Sequence, residues 1–115
     1  MKLLIVDDSE RVRGLIRRLV GGLCEEIHEC ADGEQALAAY DQFHPDCVLM
    51  DIRMQNVDGL EATRRIVAAH KGARVVIVTN CDDDWMRETA RGAGAIGYVL
   101  KEDLAVLRQI LAAPP

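Results

Sequence analysis

Side chains able to bind a cation, donate a hydrogen bond or act as a nucleophile stand directly after short apolar runs in this 115-residue sequence. Carboxylates bind hard cations and can act as nucleophiles, a hydroxyl donates and accepts hydrogen bonds, and an amine carries positive charge. Brought together, they would make an acidic site with one amine and one hydroxyl. The pattern occurs four times, as Asp7 and Asp8 after residues 3–6, Asp51 after residues 47–50, Thr79 after residues 75–78, and Lys101 after residues 96–100.

The four apolar runs predict strands of a parallel sheet. They are rich in aliphatic and β-branched residues and are continuously apolar, which indicates strands covered on both faces. In a parallel sheet all carboxyl ends point the same way, and ligand sites of open α/β folds lie outside that edge. We therefore expect the acids, the hydroxyl and the amine to meet at one edge.

Three carboxylates at one edge need a cation between them. Two unit charges about 4 Å apart repel each other by about 4 kcal/mol at an effective dielectric constant near 20. Lys101 offsets one charge, and the excess that remains suits a hard divalent ion with oxygen ligands, most simply Mg²⁺. The alternative is an acidic edge satisfied by Lys101 and solvent alone.

Segments of helical periodicity separate the strands. The first begins after Ser9, a favourable N-cap, and stops at Gly21 and Gly22. Residues 26–31 predict a weaker edge strand. Further helices are predicted after Asp32 and Gly33 as far as Pro45, over residues 59–70, after residues 82–84, and through residues 104–111. Five strands alternating with five helices predict one α/β domain over residues 1–115, with helices on both faces of the sheet and residues 112–115 as a linker start or chain end.

Charge and composition exclude several classes of function. The net charge is −5 and the pI is about 5.1, so we expect no direct nucleic-acid contact. No apolar run is long enough to cross a membrane, and the N-terminus lacks signal-peptide architecture, which favours a cytoplasmic protein. The clustered arginines predict an ordinary solvated helix face, and the cysteines, without any CxxC pair, predict reduced thiols. These residues are Arg11, Arg13, Arg17 and Arg18, and Cys24, Cys30, Cys47 and Cys81.

Taken in order, these motifs give a chain that resembles the receiver domain of bacterial two-component response regulators, the CheY-like family. The resemblance covers the whole chain and implies a flavodoxin-like sheet of strand order 2-1-3-4-5. Its last motif also resembles regulators with a helix-turn-helix output domain. The matching residues are Leu3 to Ser9, Val48 to Met54 with Asp58 and Gly59, Val78 with Thr79, and Gly97 to Lys101.

The resemblance implies that Asp51 accepts a phosphoryl group from a phosphohistidine, carried by a sensor histidine kinase or a phosphotransfer protein. A carboxylate can do so once the charge on the phosphoryl oxygens is neutralised. The implied Mg²⁺ ligands are Asp8, Asp51 and the backbone carbonyl of Arg53, with Asp7 in a supporting position. The protein would catalyse its own phosphorylation and dephosphorylation and turn over no external substrate.

The resemblance further implies a switch that relays phosphorylation to a partner surface. Thr79 would donate its hydroxyl to the phosphoryl group, and Tyr98 would move from an outward to an inward rotamer, while Lys101 assists the transfer. Without the family, Thr79 is a β-branched strand end and Tyr98 an aromatic covering the sheet. The implied rate-tuning residues are Arg53, Asn80 and Cys81.

A second interpretation is a pseudo-receiver, which docks or dimerises without phosphorylation. Only Gln55, where the family often has Pro, and Asn80, where it usually has a small residue, favour it. A fused DNA-binding domain outside this chain and a homodimer through the last two helices are common in the family. For Trp85 we favour local packing over a role as an exposed partner anchor.

Overall fold

Five parallel strands form one sheet, namely β1 (Lys2–Val6), β2 (Glu26–Cys30), β3 (Cys47–Met50), β4 (Val75–Thr79) and β5 (Gly97–Leu100). The order across the sheet is β2-β1-β3-β4-β5, and every neighbouring pair is parallel. The predicted fold class and strand order are confirmed. The computed structural model describes residues 1–113, so Pro114 and Pro115, within the predicted chain end, lie outside it.

Five α-helices connect or follow the strands within residues 1–113, namely α1 (Glu10–Val20), α2 (Gly33–Phe43), α3 (Gly59–Ala69), α4 (Asp84–Gly92) and α5 (Val106–Ala112). Polar side chains start four of them by accepting a hydrogen bond from the first turn, which satisfies an otherwise unpaired backbone N–H. The capping residues are Ser9, Asp32, Asp58 and Asp83. The first of them immediately follows the acidic pair, so α1 begins beside the predicted site.

Two apolar layers cover the two faces of the sheet. In β1, Leu4 and Val6 pack toward α2 and α3, whereas Leu3 and Ile5 pack toward α1 and α5. All of β3 and β4 is buried. Strands covered on both faces cannot alternate polar with apolar residues, which explains the continuous apolar runs.

The α1 helix ends at Val20 with Gly21 as its C-cap, as the two glycines predicted, and Gly21–Leu23 form a 3₁₀ turn. The structure differs from the sequence-based boundary at one helix end. At the other end of the chain, Lys101–Asp103 form a second 3₁₀ turn, and α5 begins only at Val106. Leu104 is nevertheless buried, as its place in the apolar pattern predicted.

Side-chain exposure bears on the expectations for Trp85 and the cysteines. Trp85 is 70% exposed, so the favoured packing interpretation was wrong. The four cysteines are free thiols, two of them buried. No helix in residues 1–113 has the length and apolarity needed to span a membrane.

Candidate functional site

The ends of β1 and β3 bring three acids together. Val6 pairs with Met50 in the ladder, and the Asp51 amide donates to the Val6 carbonyl at 2.8 Å, so Asp7 and Asp51 emerge side by side. One carboxylate oxygen from each of Asp7, Asp8 and Asp51 lies within 4.8 Å of the others. The expected meeting of these acids at one sheet edge therefore follows from the strand register.

Lys101 reaches this cluster from the end of β5. Its Nζ lies 3.0 Å from Asp7 Oδ2 and 3.4 Å from Asp51 Oδ1. Burial alone would lower the pKa of Lys101, but the Asp7 and Asp51 carboxylates outweigh burial and raise that pKa. The two buried acids therefore favour the charged ammonium form of Lys101.

Asp51 is a buried acid that ionises with difficulty. Only 5% of its surface is exposed, and burial raises its pKa to about 6, with a further upward contribution from Asp7 and an opposing one from Lys101. Its Oδ1 accepts a hydrogen bond from the Ile52 amide at 2.9 Å. The hydrogen bond therefore fixes the position of the carboxylate, but the positive charge around it does not fully compensate its negative charge.

The donor set fits a hard divalent cation. Asp7 Oδ1 accepts a hydrogen bond from the Ser9 amide at 2.8 Å, whereas its buried Oδ2 has no aligned hydrogen-bond donor among residues 1–113 and relies on the Lys101 ion pair. Asp8 is exposed and faces the cleft. Three carboxylates against one ammonium leave an excess of negative charge, and carboxylate oxygens are the ligands that Mg²⁺ prefers.

A cleft of about 370 Å³ opens over Asp51. Every residue that lines it was predicted from the sequence as a site residue, whereas Asp7 lies buried beneath it and Tyr98 lies to one side. The lining residues are Asp8, Asp51, Arg53, Thr79, Asn80, Cys81 and Lys101. A small charged group entering the cleft would contact acids, an amine and a hydroxyl at once.

Thr79 and Tyr98 both contact the backbone of Cys81, in the loop between β4 and α4. The Thr79 hydroxyl accepts a hydrogen bond from the Cys81 amide at 3.2 Å, and the Tyr98 hydroxyl donates one to the Cys81 carbonyl at 2.6 Å. The Tyr98 ring is partly buried and packs against the core. One short segment therefore connects the cleft with the β5 surface.

Arg87, on α4, covers the outer side of Tyr98. Its guanidinium carbon lies 4.9 Å from the centre of the Tyr98 ring, a cation–π distance, and its Nη1 donates to Asp82 Oδ1 at 2.6 Å. Sequence reasoning missed Arg87. Its position in the first turn of the helix that follows Thr79 was the available signal.

Arg13 is a second residue that sequence reasoning missed. It was grouped with a solvated helix face, but its side chain is only 16% exposed and its Nη1 donates to the Asp7 carbonyl at 2.6 Å. That interpretation was therefore wrong for Arg13. The helix begins three residues after Asp7, so its first turn must lie against the acidic pair.

Gly59 allows α3 to start directly on the backbone of the Asp51 segment. A Cβ at Gly59 would lie 1.8 Å from the Asp51 carbonyl oxygen. The Gly59 amide instead donates a hydrogen bond to the Ile52 carbonyl at 2.8 Å, and the Thr63 hydroxyl donates one to the Gly59 carbonyl at 2.7 Å. The start of α3 thereby fixes the segment that follows the buried acid.

Comparisons with known proteins agree with this geometry. Residues 3–112 match the family described as the response regulator receiver domain. Response regulator GacA of Pseudomonas syringae is 37% identical over 103 residues, which make up 88% of this chain but 48% of GacA. Chemotaxis protein CheY of Halobacterium salinarum is 37% identical over 100 residues, covering 87% of this chain and 83% of that protein. The chain spans about half the length of the GacA regulators it matches.

Two solved structures share the fold over nearly the whole chain. A LuxR-family two-component response regulator from Aurantimonas superposes with a TM-score of 0.88 at 36% identity, covering 96% of this chain and 84% of that chain. The CheY chain of a CheX-CheY-BeF3-Mg²⁺ complex from Borrelia burgdorferi gives a TM-score of 0.90 at 27% identity, covering 97% and 87%.

Receiver domains act in phosphorylation-dependent signalling, interact with histidine kinases and generally bind Mg²⁺ at an acidic pocket. The acidic cluster, the strand order and the family match over residues 3–112 all agree with that description. The chain belongs to the receiver domain family of two-component response regulators.

Proposed function

We propose that Asp51 is the phosphoacceptor of a signalling switch, and that its donor is the phosphohistidine of a sensor histidine kinase or a phosphotransfer protein. The observation that carries this proposal is the placement of the Asp51 carboxylate. It is buried on all sides except the cleft, with Lys101 Nζ 3.4 Å away and two further acids within reach of a shared cation. An incoming phosphoryl group therefore meets one nucleophile and a charge arrangement that suits its oxygens.

Asp8, Asp51 and the Arg53 backbone carbonyl would hold Mg²⁺, with Asp7 in support. The bound ion would neutralise charge on the phosphoryl oxygens, which otherwise repel an attacking carboxylate. Lys101 supplies positive charge from the end of β5. The charge balance supports this assignment, because the single Lys101 ammonium, 3.0 Å from Asp7 Oδ2 and 3.4 Å from Asp51 Oδ1, cannot compensate three carboxylates.

In the proposed transfer, an Asp51 carboxylate oxygen attacks phosphorus, and the bond between phosphorus and the donor imidazole nitrogen breaks. The electron pair of that bond stays with the imidazole, which takes up a proton. Dephosphorylation is attack of water on the same phosphorus, which releases inorganic phosphate, returns Asp51 as a carboxylate and leaves one proton to solvent. The protein thus catalyses its own modification and its reversal, with no external substrate besides the phosphodonor.

Thr79 and Tyr98 would convert this chemistry into a change of surface. A Thr79 hydroxyl that turns toward the phosphoryl group gives up its bond from the Cys81 amide, and the Cys81 carbonyl is the acceptor of Tyr98. A change at Thr79 therefore alters the anchor of Tyr98. Arg53, Asn80 and Cys81 line the cleft and are proposed to tune the phosphate lifetime.

We assign residues 1–115 to one receiver domain, with residues 112–115 as the start of a linker or the chain end. A DNA-binding output domain outside this chain fits the similarity to GacA and to LuxR-family regulators. A homodimer through the last two helices is a further proposal, suggested by the family.

Intact-mass spectrometry tests the proposal. The protein is incubated with Mg²⁺ and acetyl phosphate, and we expect one added phosphoryl group in the unmodified sequence and none in Asp51→Asn. The same incubation with EDTA should abolish the gain. A folded protein that binds Mg²⁺ but never gains the group would favour the phosphorylation-independent docking module.

A further inference from the structure

Arg13 joins three elements at the base of the acidic cluster. From α1, its Nη1 donates to the Asp7 carbonyl at 2.6 Å, and its Nε donates to Glu29 Oε1 on β2 at 2.7 Å. Because the Asp7 carbonyl belongs to the peptide unit that carries the Asp8 amide, Arg13 fixes the plane from which the Asp8 side chain departs.

The other hydrogen bonds of residues 7–9 do not involve this peptide unit, so Arg13 is the group that holds its plane. The Asp7 amide donates to the Cys30 carbonyl at 3.1 Å, and the Ser9 amide donates to Asp7 Oδ1 at 2.8 Å. These two bonds hold the segment on either side of the peptide between Asp7 and Asp8. Asp8 itself is exposed, and its side chain has no hydrogen-bond partner among the residues that the structure describes.

Glu29 is shared by Arg13 and Arg17 and offsets part of their positive charge. Its two carboxylate oxygens accept from Arg13 Nε at 2.7 Å and from Arg17 Nε at 2.5 Å. Arg17, and to a smaller extent Arg13, hold the pKa of Glu29 below its usual range against the effect of burial. The direct contact of Arg13 with the acidic segment is therefore its hydrogen bond to the Asp7 carbonyl.

We infer that Arg13 is a positioning residue for the metal site, holding the Asp7–Asp8 peptide so that the Asp8 carboxylate is directed toward a cation shared with Asp51. The inference rests on the proposed function, because it assumes that Asp8 is a ligand. Groups that orient a ligand from behind it change metal affinity by roughly 10- to 100-fold when they are removed.

The sign of the effect separates positioning from electrostatics. If Arg13 acted on the site only through its charge, Arg13→Met would remove a positive charge near a cation and strengthen Mg²⁺ binding. Positioning predicts the opposite, a weaker binding, because Asp8 then samples directions away from the ion.

Arg17→Met is the matched control. Arg17 shares Glu29 with Arg13 and donates to the Ile27 carbonyl at 3.1 Å, but it makes no hydrogen bond to the acidic segment. Arg17→Met removes a positive charge that is paired with the same Glu29 carboxylate, and it leaves the hydrogen bond from Arg13 to the Asp7 carbonyl in place. Arg13→Lys keeps the charge but cannot reproduce the two-pronged donation, and it serves if Arg13→Met does not fold.

Isothermal titration calorimetry with Mg²⁺ measures the effect on the full chain, with circular dichroism to verify folding. We expect Mg²⁺ to bind Arg13→Met about tenfold more weakly than the unmodified protein, with Arg13→Lys between them and Arg17→Met within about twofold. The Mg²⁺-dependent rise in Tm should shrink in the same order.

Unchanged or tighter binding in folded Arg13→Met, or an equal loss in Arg17→Met, would overturn the inference while leaving Asp8 as a ligand. Absence of Mg²⁺ binding in the unmodified protein would overturn the proposed metal site itself, and this inference with it.

Discussion

The Nζ of Lys101 lies 3.4 Å from Oδ1 of Asp51, yet the pKa of Asp51 is raised to about 6. A neighbouring ammonium lowers a carboxyl pKa, but here burial and the Asp7 carboxylate outweigh it. At neutral pH the Asp51 carboxylate is therefore ionised, and its buried charge lowers the stability of the folded domain. A bound cation at that position would relieve the imbalance.

The first prediction concerns the stability of Asp51→Asn as a function of pH. Because the pKa of Asp51 in the folded protein is about 6, above the usual 3.8, the folded state binds more protons than the unfolded state between these values. The free energy of unfolding therefore falls as pH rises through this window, by roughly 1–3 kcal/mol. Urea unfolding in EDTA should find Asp51→Asn more stable than the unmodified protein near pH 8.

The difference should almost vanish near pH 4, where Asp51 is protonated in the folded state. Mg²⁺ should also reduce it near pH 8, because the ion stabilises only the protein with the full acidic cluster. Equal stabilisation by Asp51→Asn at both pH values would contradict the conclusion that the buried, ionised Asp51 carboxylate destabilises the folded protein.

The second prediction concerns Lys101→Met. This change leaves Asp7 and Asp51 buried without their ammonium, so the free energy of unfolding near pH 8 should fall by about 2–4 kcal/mol. The pKa of Asp51, measured by NMR titration, should rise further above about 6. The exposed Lys71 gives the control, since Lys71→Met should change neither quantity. Unaltered stability of Lys101→Met would show that the acids do not depend on this ion pair.

The third prediction concerns Gly59→Ala. A Cβ there would meet the Asp51 carbonyl oxygen at 1.8 Å, so α3 must move away from the Asp51 segment. Thermal unfolding should detect a loss of at least about 2 kcal/mol, as for other overpacked positions. Gly14→Ala on α1, where a Cβ meets nothing within 4 Å, should instead be neutral or stabilising. Similar stability of the two variants would be inconsistent with the close contact.

The fourth prediction concerns Arg87 and the orientation of Tyr98. The sequence contains two tyrosines, Tyr40 and Tyr98, so fluorotyrosine labelling should give two ¹⁹F resonances, which Tyr98→Phe assigns. Removing the Arg87 guanidinium takes a cation from the ring face, and we expect Arg87→Met to shift or broaden the Tyr98 resonance only.

Asp84→Asn provides the comparison, because Asp84 lies 3.8 Å from Arg87 whereas Asp82 makes the hydrogen bond at 2.6 Å. Asp82→Asn should reproduce part of the Arg87→Met effect, and Asp84→Asn should not. A Tyr98 resonance indifferent to Arg87→Met would mean that the guanidinium does not hold the ring.

Most of the fold was predictable because strands buried on both faces must be continuously apolar. That constraint located β1, β3 and β4, and the rule that parallel strands share a carboxyl edge then placed Asp51 and Lys101 together. The β2 strand, with exposed Glu26 and His28, carried a weaker signal because an edge strand tolerates polar residues.

The contacts of long side chains were not predictable in the same way. Arg13 and Tyr98 donate hydrogen bonds to the backbone carbonyls of Asp7 and Cys81, respectively. Every residue has a backbone carbonyl, so the sequence does not indicate which one a long side chain will contact. The late start of α5 was also hidden, because Leu104 satisfies the apolar pattern equally well from the turn before the helix.

The residue that becomes phosphorylated can be identified directly. The protein is phosphorylated with Mg²⁺ and acetyl phosphate, reduced with borohydride, which converts an aspartyl phosphate to homoserine, and digested for peptide mass spectrometry. We expect homoserine at position 51 and at no other acid of the cluster. Homoserine at Asp7 or Asp8, or a stable phosphoryl group on another residue with Asp51 unmodified, would contradict it.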